Sequence, residues 1–149
     1  MSVNWLIKSF DSLTPYELYA ILRLRNEIFV VEQNCVFQDA DNKDQESFHL
    51  MGWDKEELHA YTRIVPATKE QDIVSIGRVL VAVPARGKGL GKLLMEESIL
   101  EIRRLYGQVP ILIGAQCHLT SFYNGLGFQI EGKPYLEDGI DHIKMILPN

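Results

Sequence analysis

The chain has 149 residues, 46% hydrophobic and 23% charged, a length and balance that bound it to one globular domain over residues 1–149. A net charge of -5 argues against the basic surplus of a nucleic-acid binder, and no apolar run approaches the ~18 residues of a membrane span. Residues 1–8 lack the layout of a signal peptide, and Cys35 and Cys117 match no metal spacing such as CxxC. The expectation is a cytoplasmic protein with two free thiols and no metal, partnered by neither membrane nor nucleic acid.

Thr14-Pro15-Tyr16-Glu17 spells a capping box with proline at the first helical position. Leu18, Ile21 and Leu22 follow at helical spacing, so the first predicted element is a helix. Residues 25–33 continue as a short second helix. Residues 39–46 (DADNKDQE) form an acidic loop. Residues 48–53 and 58–65 predict strands, joined by a hairpin turn at 54–57. Residues 73–83 are rich in valine and isoleucine and predict a mostly buried strand, in which Gly77 points to a bulge or a close backbone approach. A helix over 89–106 carries Met95, Ile99, Ile102 and Tyr106 on one face and ends at Gly107. Residues 109–115 predict a strand, 121–125 a short helix, and 128–131 and 140–147 two final strands. The order helix, strands, helix, strand, helix, strands fits a mixed α/β layer on one sheet.

The stretch VPARGKGLGK, residues 83–92, places three glycines at alternate positions just before a helix. That is an anion-binding layout, because orphan N–H groups and the helix dipole face the ligand and glycines bring the main chain close. A nucleoside-triphosphate loop, GxxxxGK[ST], fails twice: Leu93 follows Gly91-Lys92, and Arg86 stands five before Gly91. The dinucleotide pattern GxGxxG fails at Lys92 counted from Gly87, and at Leu94 counted from Gly89. What the residues spell is Arg86-x-x-Gly89-x-Gly91.

This loop resembles the acyl-CoA pyrophosphate loop of the GNAT superfamily of N-acetyltransferases, Gln/Arg-x-x-Gly-x-Gly/Ala. Tyr123-Asn124-Gly125-Leu126-Gly127-Phe128 resembles the family's Tyr-x-x-Leu-Gly-Phe ending. Residues 25–35, 38–41, 49–53, 76–79, 114–116 and 138–143 are similar to the ElaA-like branch, and the resemblance covers nearly the whole chain. Asp141 departs from it, standing where a small or apolar residue, often proline, is usual. The resemblance implies an α/β (α+β) GNAT fold: a central mixed, mostly antiparallel sheet flanked by helices, with acyl-CoA in the splay between two strands. It implies direct transfer of an acetyl group from acetyl-CoA, as cosubstrate, to a primary amine of a small molecule or protein, and it allows a homodimer. Two other classes stay open: a non-catalytic acyl-CoA-binding or sensing module, and an acyl-homoserine-lactone-synthase-like acyltransferase.

Carried over residue by residue, the backbone of Leu80, Val81 and Ala82 meets the pantetheine arm. The N–H groups of Arg86, Gly87, Lys88, Gly89, Leu90, Gly91 and Lys92 hold the pyrophosphate, with charge added by Arg86 and Lys88. Gln116 stands near the cofactor arm or makes a strand-end hydrogen bond. Tyr123 matches the general acid that protonates the departing sulfur, or else packs beside Phe122. Candidates for the base or the acceptor site are Glu32, Asp41, His49, Arg78, His118 and His142, with imidazole titrating nearest neutrality; a water chain would serve without any of them. Arg78 interrupts an apolar strand and needs a partner, Glu32 or an acidic-loop residue, or it holds a substrate carboxylate. His142 borders the acceptor cleft or caps a strand. The loop 39–46 attracts a cationic amine or is simply solvated. Direct transfer is preferred to a covalent intermediate on Cys117, which has no evident Cys–His–acid arrangement.

Overall fold

The computed structural model describes residues 2–149. Among them, strands β1 (Asn4–Ser9), β2 (Phe48–Asp54), β3 (Glu57–Val65), β4 (Val74–Val81), β5 (Ile111–Gln116), β6 (Gln129–Ile130), β7 (Tyr135–Glu137) and β8 (Ile140–Leu147) form one sheet. Their order is β1-β2-β3-β4-β5-β8-β6, and β7 also pairs β8. Every pairing is antiparallel except β4 with β5. The mixed, mostly antiparallel sheet expected from the resemblance is therefore present.

Helix α1 (Pro15–Arg25) starts as its capping box requires: the Glu17 N–H donates to Thr14 Oγ1 at 3.1 Å and the Thr14 N–H to Glu17 Oε1 at 2.8 Å. It runs straight into a π-helix, Asn26–Glu32. Helix α2 (Leu90–Tyr106) follows the glycine loop, and α3 (Thr120–Asn124) is a single turn.

Alternation along β3 builds both cores. Ala60, Thr62 and Ile64 face α2, with Leu94 and Met95 among their neighbours, and Thr62 Oγ1 lies 2.7 Å from Ser98 Oγ. Tyr61 faces α1, packed with Ile21, Leu24 and Ile28. On β4 this alternation changes phase. Val74 and Ile76 belong to the α2-side core, yet Leu80 and Ala82 belong to the α1-side core. The cause is a bulge: Arg63 pairs Gly77 and Tyr61 pairs Leu80, so Thr62 stands against both Arg78 and Val79. The glycine signal locates the bulge correctly, but the left-handed backbone belongs to Arg78, at φ 50.

β4 and β5 separate just ahead of the bulge. They pair only at Val74–Ile111 and Ser75–Leu112, then diverge into an open splay. On the α1 side, three arginines and three aspartates brace the bulge. Arg78 donates to Asp39 Oδ1 (2.7 Å) and reaches Asp41 (3.4 Å); Arg25, fully buried, holds Asp39 (2.8 Å) and Asp44 (2.7 Å); Arg63 holds Asp41 (2.8 and 2.9 Å) and Asp44 (2.9 Å). Asp39, Asp41 and Asp44 are thus tied to arginines, while the rest of the loop is exposed and its Lys43 and Glu46 line a cavity.

Two strands escape the sequence patterns, so the order does not begin with a helix. β1 precedes α1, and its Trp5 and Ile7 pack on the α2-side core. β7 forms a hairpin with β8 around Asp138 (φ 51) and Gly139 (φ 78). No helix among the described residues is long and apolar enough to cross a membrane.

Burial alone would raise the Asp44 carboxyl, but Arg25 and Arg63 hold it below the usual range. Such a group adds stability above its unfolded value, about 3.9, and loses it as pH falls toward the lower folded value. Asp44→Ala is expected to lower stability by about 3 kcal/mol at neutral pH, because it strips charge partners from buried arginines. Urea denaturation checks this, and the gap between wild type and variant should narrow below about pH 4.

Candidate active site

The splay opens into two adjoining cavities. One, of about 490 Å³, runs from the β4–β5 gap to the start of α2. The other, of about 780 Å³, opens on the opposite side, toward β7 and the loop after β3. Phe29, Gln33, Val79, Gln116, Leu119 and Tyr123 line both and mark their junction.

Gly87, Gly89, Leu90, Gly91 and Arg86 line the smaller cavity. Gly87 and Gly89 have φ 80 and 75, and a Cβ on either would project into open space within 4 Å. Gly89 caps α2 with no side-chain bond. The Leu93 N–H reaches the Gly89 carbonyl at 3.3 Å, while the first-turn amides of Leu90 to Lys92 have no intrahelical acceptor. The loop thus has the glycine-turn-then-helix layout that the spacing predicts. Lys88 and Lys92 are exposed and line neither cavity.

Leu80 and Val81 border the same cavity; Ala82 does not. The Ala82 N–H donates to the His59 carbonyl at 2.8 Å, on the β3 side. Alternate residues of a ladder turn their backbone groups the same way, so Val81 turns its own toward the splay. Its carbonyl accepts from Arg86 Nε at 3.1 Å. The rest of the Arg86 guanidinium forms a two-pronged pair with Glu32 at 2.7 and 2.8 Å. Glu32 therefore partners Arg86 rather than Arg78, and this pair with Arg86 holds its carboxyl below the usual range.

Tyr123 sits at the junction, 6% exposed, edge-on to Phe122 and Phe128. Burial pushes its hydroxyl up to about 12, so it stays protonated at neutral pH. Gln116 ends β5 beside it. His118 is exposed on the rim of the smaller cavity. His142 is buried, lines the larger cavity and stacks on Tyr135. Arg78 also lines the larger cavity, with its guanidinium fastened to Asp39.

Two of the predicted base or acceptor candidates lie outside the cavities. Asp41 is held by Arg63, which overrides burial and keeps its carboxyl well below the usual range. His49 is fully buried: its Nε2–H donates to the Asp44 carbonyl (2.9 Å) and its Nδ1 accepts from the Tyr61 hydroxyl (2.6 Å). Burial keeps that ring below the usual imidazole range. Neither is placed to take a proton from a ligand in the splay. Cys117 also lines neither cavity.

Comparison with known proteins agrees with this geometry. Residues 26–148 match the family model described as an acetyltransferase (GNAT) domain. The chain belongs to the GNAT acetyltransferase family. Within the GNAT family, it is 39% identical to Escherichia coli ElaA over 96% of this chain and 95% of that one. The crystal structure of ElaA superposes with a TM-score of 0.92 over 97% of this chain and 99% of that one, at 38% identity. An acyl-CoA N-acyltransferase from Pseudomonas aeruginosa superposes at 0.93, with 42% identity and the same coverage. The acyl-homoserine lactone synthase BjaI superposes at 0.81 over 98% of this chain and 83% of its own, but at 18% identity that likeness concerns the fold alone. The chain is a GNAT-type acyltransferase, a family that uses acyl-CoA donors.

An anion in the glycine loop must compete with Glu32 for Arg86. Glu32→Gln is expected to tighten acetyl-CoA binding by about threefold, the scale of an exposed ion pair. Arg86→Ala should weaken it by about tenfold or more, the loss of a charge-assisted bond. Calorimetric titration of both variants measures these shifts.

Proposed function

We propose that this protein transfers the acetyl group of acetyl-CoA directly to a primary amine of a small molecule or protein. The observation that carries the proposal is the junction of the two cavities at Tyr123. A donor entering along β4 and an acceptor entering from the β7 side meet there.

The α2 amides and Arg86 suit the pyrophosphate. The open edge of β4, with the Val81 backbone on it, suits the pantetheine arm and offers a donor to the thioester oxygen as it gains charge. Tyr123 is the general acid. Burial keeps its proton in place until the thiolate departs. Direct transfer is favoured over a covalent intermediate because Cys117 lines neither cavity.

The test is CoA-thiol release from acetyl-CoA against a panel of primary amines. Tyr123→Phe should bind acetyl-CoA like the wild type yet turn over up to ~10²-fold more slowly, while Cys117→Ser keeps its turnover. Acetyl-CoA binding by the wild type without thiol release for any amine would instead describe a binding module.

A further inference from the structure

An amine acceptor arrives as an ammonium ion near neutral pH and must lose a proton before it can attack. The N-acetyltransferase reading above therefore needs a base on the acceptor side, and the assignment of that base rests on that reading. Of the four histidines, all among the described residues, His142 alone is both buried and on a cavity wall. His49 has both ring nitrogens bonded in the core, His59 leans on Glu57 and lines neither cavity, and His118 is exposed.

The tautomer of His142 is set by its neighbours. Its Nδ1 lies 2.7 Å from the Ile140 carbonyl oxygen. A carbonyl only accepts, so Nδ1 carries the hydrogen and the neutral ring keeps an unprotonated Nε2. Nε2 lies 3.5 Å from Glu137 Oε2, close enough for the carboxylate to meet a charge appearing on the ring. Tyr135 stacks on the imidazole with centroids 5.9 Å apart and planes 28° apart. Gly114 on β5 makes room for this ring: a Cβ there would come within 2.8 Å of the Tyr135 hydroxyl. In the β5–β8 ladder His142 pairs Gln116, which lines the junction with Tyr123. The titratable groups around it are Glu137 and Tyr135 from β7, Asp138 from the turn, Lys144 from β8 and Cys117 just after β5.

We infer that His142 is the general base of the transfer, taking the acceptor's proton at Nε2, and that Glu137 is a positioning residue that stabilises the resulting imidazolium. An ammonium N–H bond breaks as the Nε2–H bond forms. The electron pair left on nitrogen makes the new bond to the thioester carbonyl carbon. The C–S bond then breaks, its pair leaves with sulfur, and Tyr123 supplies the sulfur's proton. The nitrogen sheds a second proton as it becomes an amide, which restores Tyr123, and His142 releases its own to water. Ammonium and thioester thus give amide, thiol and one proton.

The experiment compares thiol release from acetyl-CoA at pH 7 with butylamine, a cation there, and methoxyamine, which is neutral there. His142→Gln should lose ~10²-fold or more in kcat with butylamine and only a few-fold with methoxyamine, with KM for acetyl-CoA unchanged. The acid limb of its kcat/KM profile with butylamine should disappear. Glu137→Gln should show a smaller loss of the same selectivity. Equal losses with both amines would overturn the base assignment alone. A wild type that releases thiol with neither amine would overturn the N-acetyltransferase reading and the base with it. Independently of turnover, a long-range ¹H–¹⁵N spectrum should show neutral His142 protonated on Nδ1; a proton on Nε2 would overturn the proposal.

Discussion

Arg78 holds a left-handed backbone, φ 50, and its guanidinium is fastened to Asp39 and Asp41. For a residue with a Cβ that conformation costs about 1–2 kcal/mol, and the ion cluster over-determines it. The rest of the site depends on this one extra residue. It shifts the phase of β4, so Ile76 packs under α2 while Leu80 packs under α1. It also accompanies the loss of pairing with β5 after Ser75, and that loss makes the splay.

The charges divide by burial. Arg25 and Arg63 are almost completely enclosed and paired with aspartates, so the cluster is structural and internally neutral. Arg86 and Glu32 are half exposed and sit beside the glycine loop. An exposed pair contributes little, so its arginine can exchange a carboxylate for a phosphate, whereas the buried cluster cannot exchange partners without leaving a buried charge. The same contrast separates the histidines: His49 is fixed in the core network through both ring nitrogens, while His142 lines a cavity and is hydrogen-bonded through Nδ1.

Local signals are legible in the sequence. The capping box at Thr14, the glycine turn before α2 and the valine-rich strand all act over a few residues, and each appears where its pattern puts it. Two strands escape the pattern although their signals are present. Trp5 and Ile7 alternate inward, and Asp138-Gly139 is a hairpin turn. The site is legible in part. The loop glycines and Tyr123 sit in motifs, but Phe29 from the π-helix, Gln33 just after it and Val79 from β4 come together at the junction only in the fold. The partners of Arg78 and the burial of His49 rest on contacts between residues far apart in the chain, which no window of sequence displays. Ala82 joins the expected cofactor contacts only because a strand-end window cannot tell which amides face β3.

On the proposed function, acyl-CoA lies along the open edge of β4 with its pyrophosphate at the start of α2. The most direct measurement is a backbone amide ¹H–¹⁵N spectrum of the protein titrated with acetyl-CoA. The largest shifts should fall on Val81, Gly87, Gly89 and Gly91 and extend to Phe29 and Tyr123, leaving Asp44 of the ion cluster and the neighbouring His49 unmoved. Shifts confined to other surfaces, or none at saturating acetyl-CoA, would contradict it.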